Sequence, residues 1–259
     1  MQIIIPLTGY GSRFVAAGYK DLKPFINVLG MPILQWITQK MFPLEQDIIF
    51  ICRQEHLDTI PNMRNLLLQI SPSAKIFSID NWEKRGPVFD VLKAESMIDD
   101  KIPAIINYCD FYSSWNWSKV KQSILERDCD GAIPCYTGFH PHLLIAKNVY
   151  ASCKVDEQNN LIEIKEKFSF ETDKQKSLHS AGTYYFKSGA LLKKYCQLLV
   201  DNKIELNGEY YASLPYNAMV DDGLKVWVPN NIDYFCQWGT PEDLEESLFW
   251  INKVRGFKK

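Results

Sequence analysis

The stretch QIIIPLTGYGSRFVAAGYKDLKPFINVLG, residues 2–30, decides the fold. Ile3, Ile4 and Ile5 in a row predict a strand over 2–7 that is covered on both faces, as strands of parallel sheets are. Gly9 and Gly11 follow at once. Glycines there let the backbone approach a ligand and turn N–H groups toward anionic oxygens, while Ser12, Arg13, Lys20 and Lys23 supply donors and positive charge. The chemistry points to a polyphosphate. Neither GxxxxGK[ST] nor the third glycine of a dinucleotide fingerprint is present, so the spacing alone fits a strand with a mobile basic loop equally well.

Outward from this stretch, Pro32 opens a helix to about 42, and 47–52 is a second strand. Residues 55–70 read as helix broken at Pro61, and 74–79 as a third strand. Such alternation implies parallel strands with right-handed crossovers and ligands at the strands' carboxyl ends. Arg85-Gly86-Pro87 opens another helix. The apolar strand 102–107 runs into NYCDFY, which sets Asp110 just past a carboxyl end, where an acid binds a metal or caps a turn. A strand is expected over 128–134. His140 and His142 in YTGFHPH, 136–142, lack the CxxC or HExxH partners of a zinc site and read as a pocket wall. Residues 148–155 and 161–165 predict an antiparallel hairpin laid on the parallel sheet. Helix 188–202 and strand 224–228 follow, and a last helix is capped by Thr240, with Pro241 in its first turn and Asp243 three past the cap.

The strings G-x-G-S-R-F at 9–14 and K-P-x-x-x-V-x-G-x-P-I at 23–33 closely resemble the signature of the sugar-phosphate nucleotidyltransferases, the pyrophosphorylases that make nucleotide sugars. GTPEDL at 239–244 is similar to the family's ending, and the N-x-C-D-x-Y wording around Asp110 resembles a subgroup found in capsule and surface-polysaccharide gene sets. The resemblance covers most of the chain. It implies a nucleotidyltransferase-like (Rossmann-like) α/β fold, a mostly parallel sheet flanked by helices with an antiparallel acceptor-binding insertion. One domain is expected, its nucleotide-binding half about 1–135 and its acceptor-binding half about 136–259. Carried over by residue, it places Leu7, Gly9, Gly11, Ser12, Arg13 and Gly86 on the nucleotide, Lys23 near the phosphates of both reactants, and Asp110 on Mg2+. Glu166 and Lys167 would hold the acceptor's hydroxyls and phosphate, with Gly182, Glu209 and His140 nearby. Glu209 reads equally as a first-turn acid favouring a helix dipole.

Two positions depart from the family. Leu7 and Thr8 stand where relatives carry alanines, and Gln237 stands where they carry a second metal aspartate, with Asp233 a nearby substitute. The implied reaction joins a nucleoside triphosphate to a phosphorylated acceptor, most often a sugar 1-phosphate, and releases pyrophosphate. A cytidylyltransferase for a non-sugar phosphate is the alternative, because Tyr136, Phe139, His140 and His142, joined by Tyr184 and Tyr210, would make an aromatic, imidazole-rich wall. A glycosyltransferase would ordinarily carry D-x-D, whereas NYCD has one acid; a non-catalytic nucleotide-binding domain is favoured by Gln237.

The composition narrows the partners. A net charge of −2 argues against general nucleic-acid binding, which needs an extended basic surface. With 46% hydrophobic and 23% charged residues the chain is of ordinary globular type. No run approaches the ~18 apolar residues of a membrane span. Seven cysteines, an odd number without a CxxC pair, predict free thiols in a reducing, cytoplasmic setting. A second copy of the chain is a further partner this reading leaves open.

Overall fold

The computed structural model describes residues 1–230 and 232–256. The isoleucine run forms β1 (Gln2–Pro6), buried throughout. After the glycine loop come α1 (Ser12–Ala16) and a small antiparallel ribbon of β2 (Asn27–Val28) and β3 (Met31–Pro32). The helix expected from Pro32 is α2 (Ile33–Gln35) continued by a wider π-helical turn, Trp36–Met41. β4 (Asp47–Arg53), α3 (Gln54–Thr59), α4 (Met63–Ile70) and β5 (Lys75–Ile79) complete the β-α-β-α-β start, with Pro61 between the two helices. Next come α5 (Pro87–Lys93), β6 (Ala104–Asn107), β7 (Phe111–Ser114) and α6 (Trp117–Arg127).

Past β8 (Gly131–Ala132) the chain builds β9 (Cys135–Tyr136), β10 (Ser152–Val155), β11 (Leu161–Lys165) and β12 (Leu178–Ser180). It then returns through β13 (Thr183–Phe186), α7 (Gly189–Asp201), α8 (Pro215–Asp221) and β14 (Val226–Trp227). β15 (Tyr234–Gln237) and α9 (Pro241–Gly256) end the described chain.

The main sheet has the order β14-β8-β13-β6-β1-β4-β5, with β6, β1, β4 and β5 parallel and β13 antiparallel to both its neighbours. The uninterrupted isoleucines have a direct cause: side chains alternate across the sheet, and there is a core on each side. Ile3, Ile5 and Phe50 pack into one core, Ile4, Ile49 and Ile51 into the other.

Two expectations are corrected here. The hairpin β10–β11 shares a core with the parallel sheet but is not alone: it is half of a separate antiparallel sheet, β11-β10-β12-β9. The strand expected over 128–134 shrinks to Gly131–Ala132, where the missing side chain of Gly131 makes room for the Tyr216 ring, 2.7 Å from where a Cβ would stand.

Candidate active site

Because β1 and β6 are parallel neighbours, the glycine loop after β1 and the acid after β6 leave the sheet at the same edge. Gly11 caps α1 with φ of 61°, a left-handed turn that glycine takes without strain, and Gly9 faces open space. Ser12 and Arg13 are exposed on the first turn of α1. Leu7 is different: its side chain is in the core and its N–H donates to the Ile51 carbonyl at 2.7 Å, so that side chain faces away from the loop. Lys23 lies against the loop, its Cβ 3.6 Å from where a Cβ on Gly11 would be. Its Nζ donates to Asp110 Oδ2 at 3.0 Å.

The antiparallel pairing of β7 and β15 sets Gln237 opposite Phe111, next to Asp110, and Tyr234 opposite Ser114 at the far end. Asp233, beyond Tyr234, therefore lies at the end of this ribbon remote from Asp110. Another acid is closer. Asp243 accepts from Gln237 Nε2 at 2.7 Å and from Thr240 Oγ1 at 2.8 Å, and burial raises its carboxyl despite both bonds. Burial also pushes up the Tyr150 phenol, whose ring packs edge-on against His142 and Phe235.

The acceptor candidates form a second group. Glu166 accepts from Ser213 Oγ at 2.5 Å; burial raises its carboxyl, opposed by that bond and by Lys167. Lys167 has a left-handed backbone, φ 52°, and its Nζ donates to the Tyr211 hydroxyl at 2.9 Å. Between the groups stands Tyr108, whose hydroxyl accepts from the Ala212 N–H at 3.1 Å. Burial, then Tyr184, Glu166 and Asp110, push its phenol up, and its ring packs 5.6 Å from that of Tyr184.

Residues 209–213 also reach the nucleotide side. Glu209 pairs with Lys84 at 2.9 Å, the Tyr210 N–H donates to the Arg85 carbonyl at 2.8 Å, and the Val88 N–H donates to the Tyr210 carbonyl at 3.1 Å. The following helix starts only at Pro215, so the reading of Glu209 as a first-turn acid is corrected. Gly86, with φ 91°, packs on this strap: a Cβ there would stand 2.6 Å from the Tyr210 nitrogen. Gly182 is likewise pressed on the Phe111 ring, 2.4 Å from where its Cβ would be.

The imidazole cluster packs onto the core, with His140 buried and His142 half-buried. Tyr136, Tyr184 and Tyr210 are buried, while Phe139 is exposed. His140 packs edge-on against Tyr136, and the Tyr136 hydroxyl lies 2.7 Å from His142 Nε2. Burial holds His140 down to about 4 and His142 to about 3, each lowered further by neighbouring histidines. Among the described residues, no group of three or more His, Cys, Asp or Glu is placed to hold a metal ion.

Sequence reasoning missed one feature, an open groove of about 600 Å³ at the carboxyl ends of β4 and β5 beside the loop, lined by Tyr10, Arg53, Glu55, Asp80 and Trp82 among others. The buried Arg53 guanidinium lies 3.8 Å from the Tyr10 ring centre. Trp82 Nε1 donates to Asp90 at 2.9 Å, Thr8 Oγ1 donates to it at 2.5 Å, and burial pushes Asp90 up to about 6. The available signal is Arg53, a charged side chain directly after the predicted strand 47–52.

A glycine loop, a lysine and an acid stand at the carboxyl ends of parallel strands in an α/β fold of the nucleotidyltransferase type. Solved structures with this fold include a nucleoside-diphosphate-sugar pyrophosphorylase from Vibrio cholerae RC9 (20% identity, TM-score 0.76, 96% of this chain and 100% of that one). A UDP-glucose pyrophosphorylase in complex with UDP-glucose is also similar, with 13% identity, a TM-score of 0.73 and 98% of each chain covered. The chain has the fold of these pyrophosphorylases. In sequence it is similar to the bifunctional protein GlmU of Methanocaldococcus jannaschii, 26% identical over 260 residues and 98% of this chain. The match covers 55% of that protein, so the chain spans about half the length of this curated relative. No protein-family model matches the sequence. Among the described residues, no helix is long and apolar enough to cross a membrane.

Proposed function

We propose that the chain is a nucleotidyltransferase that joins a nucleoside triphosphate to a sugar 1-phosphate. The observation that carries this reading is the Lys23–Asp110 pair, 3.0 Å apart beneath the glycine loop, in a fold shared with pyrophosphorylases. An oxygen of the acceptor's phosphate attacks the α-phosphorus; the bond from the α-phosphorus to the bridging oxygen breaks, and pyrophosphate leaves. No covalent enzyme intermediate is needed. The protein's task is to bring two anions together and stabilise charge at phosphorus.

Residues 1–135 take the nucleotide and 136–259 the acceptor. The N–H groups around Gly9 and Gly11, with Ser12 and Arg13, cradle the triphosphate. Lys23 stands between the loop and Asp110 and can exchange its carboxylate partner for phosphate oxygens of both reactants. Lys167, fixed by Tyr211, meets the acceptor phosphate, and Glu166, fixed by Ser213, meets its hydroxyls. The nucleoside lies in the groove of Tyr10, Arg53 and Trp82. The donor set at Asp110, one half-exposed carboxylate beside the Gln237 amide, fits a hard cation that keeps phosphate oxygens and water as its other ligands. Mg2+ held there would neutralise charge on the triphosphate.

The product class fits supply of activated sugars to surface-polysaccharide synthesis. The three tyrosines and His140 of the aromatic wall that favoured a non-sugar acceptor are buried, which weighs toward the sugar phosphate. Pyrophosphate release, assayed with each of the four triphosphates against sugar 1-phosphates and non-sugar phosphates, tests the reading. Release with a sugar 1-phosphate supports it. Release only with a non-sugar phosphate gives the cytidylyltransferase alternative, and none at all gives a binding domain.

A further inference from the structure

We infer that Asp243 is a positioning residue that locks the Gln237 amide so that its carbonyl oxygen serves the cation held by Asp110. The inference rests on the proposed reading of Asp110 as the metal-binding acid.

An ionised carboxylate only accepts hydrogen bonds, so Asp243 can bind the Gln237 side chain solely through its NH2 group. It does so at 2.7 Å. Asp243 is itself held: the Thr240 hydroxyl donates to the same carboxylate oxygen at 2.8 Å, and the Asp243 N–H donates to Thr240 Oγ1 at 3.2 Å. The amide therefore has one orientation. Its other end, Gln237 Oε1, is buried with no hydrogen-bond partner. A buried carbonyl left unpaired is costly and calls for an explanation.

The surroundings supply one. A Cβ placed on Gly239 would lie 3.6 Å from Asp110 Oδ2, 3.9 Å from Asp243 Oδ2 and 4.0 Å from Gln237 Nε2, so three side chains border one small space. The Trp238 N–H donates to the Asp110 carbonyl at 2.9 Å and fixes the two strands there. Magnesium and manganese take amide and carbonyl oxygens as well as carboxylates. A partner that orients a metal ligand is itself important for affinity. Here the acid on α9 does not coordinate; it turns a neutral ligand to face the cation. With one carboxylate and one neutral oxygen, the site keeps its cation only together with triphosphate.

The test is a Mn2+ titration followed by the electron paramagnetic resonance signal of free Mn2+, with and without inorganic triphosphate. Wild-type protein should bind Mn2+ tightly only with triphosphate present. Asp243→Asn, whose amide allows Gln237 to flip, and Gln237→Leu should each weaken Mn2+ binding about tenfold or more. Thr240→Val, which removes one of the bonds that hold Asp243 but leaves its carboxylate on the Gln237 amide, should lower the melting temperature and weaken Mn2+ binding less than Asp243→Asn does. The double variant Gln237→Glu/Asp243→Asn reverses the hydrogen bond and should restore binding to wild-type strength or better. Asp243→Asn binding Mn2+ like wild type, or a double variant no better than Asp243→Asn, overturns the inference. Asp110→Asn that keeps wild-type Mn2+ affinity instead overturns the metal reading beneath it.

Discussion

Lys23 and Asp110 are bonded to each other at 3.0 Å, with side chains 17% and 39% exposed, and this sets what each substitution does. A half-exposed pair adds at most about 1 kcal/mol to stability, so Lys23→Ala should barely move the melting temperature. Losing a charge-assisted bond to phosphate costs about 1.5–3 kcal/mol, so kcat should fall roughly 10- to 150-fold. Arg13→Ala, on an exposed turn, should do the same, and Asp110→Asn should remove activity. Wild-type pyrophosphate release from both Arg13→Ala and Lys23→Ala would take the loop out of the mechanism. The histidines govern pH dependence instead. Burial holds His140 near 4 and His142 near 3, against an ordinary value of 6.5, so between those limits the unfolded chain binds more protons than the folded one. Their contribution to stability is fully present above about pH 6.5 and is lost progressively as the pH falls through the window to about 3. Melting temperature should drop across that window, and His142→Phe should flatten the drop; equal slopes for variant and wild type would contradict the burial argument. The sequence made Arg13, Lys23 and Asp110 legible, because loop glycines and strand ends declare themselves. It hid Asp243, whose place three past Thr240 is fully explained by capping, and misled on Tyr136, Tyr184 and Tyr210, since residue type alone does not separate a pocket wall from a core.

The element that joins the two substrate groups is the strap 209–213. It holds Arg85 and Val88 by backbone bonds, Lys84 by an ion pair, Glu166 through Ser213 and Lys167 through Tyr211. Gly86 is its seat. Gly86→Ala would force both a left-handed backbone and a Cβ 2.6 Å from the Tyr210 nitrogen, so destabilisation of at least ~1–3 kcal/mol is expected, read as a lowered midpoint in urea. An unchanged midpoint would show that the strap is not clamped there. Tyr211→Phe keeps the ring under Lys167 but loses the hydroxyl at 2.9 Å. Acceptor KM should rise several-fold with triphosphate affinity unchanged, and Lys167→Ala should exceed it. A defect confined to triphosphate affinity would place Lys167 at the wrong end of the site. The strap was not legible as one element: residues 209–213 have no period, and their role comes from contacts made far away in sequence.

At the scale of the whole molecule, the parallel half was legible and the antiparallel half only partly so. β1 and β4 are runs of five and seven residues in which burial on both faces writes apolar sequence, while β5, at the sheet edge, is mostly half-buried. β9 and β12 are two and three residues long, too short for alternation to show, so their sheet was read as a lone hairpin. The same burial explains the cysteines. Cys52, Cys135, Cys153 and Cys196 are core, and burial pushes Cys52 up to about 12 and Cys196 well above the ordinary thiol range, so these thiols are packing groups rather than nucleophiles. The proposed function is one transfer, with the acceptor's phosphate oxygen reaching the α-phosphorus directly. The most direct measurement uses a sugar 1-phosphate labelled with 18O in its phosphate, each triphosphate in turn, and mass spectrometry of both products. The account expects every labelled oxygen in the sugar-linked diphosphate and unlabelled pyrophosphate beside it. Label in released inorganic phosphate, or no diphosphate product with any triphosphate, would contradict it.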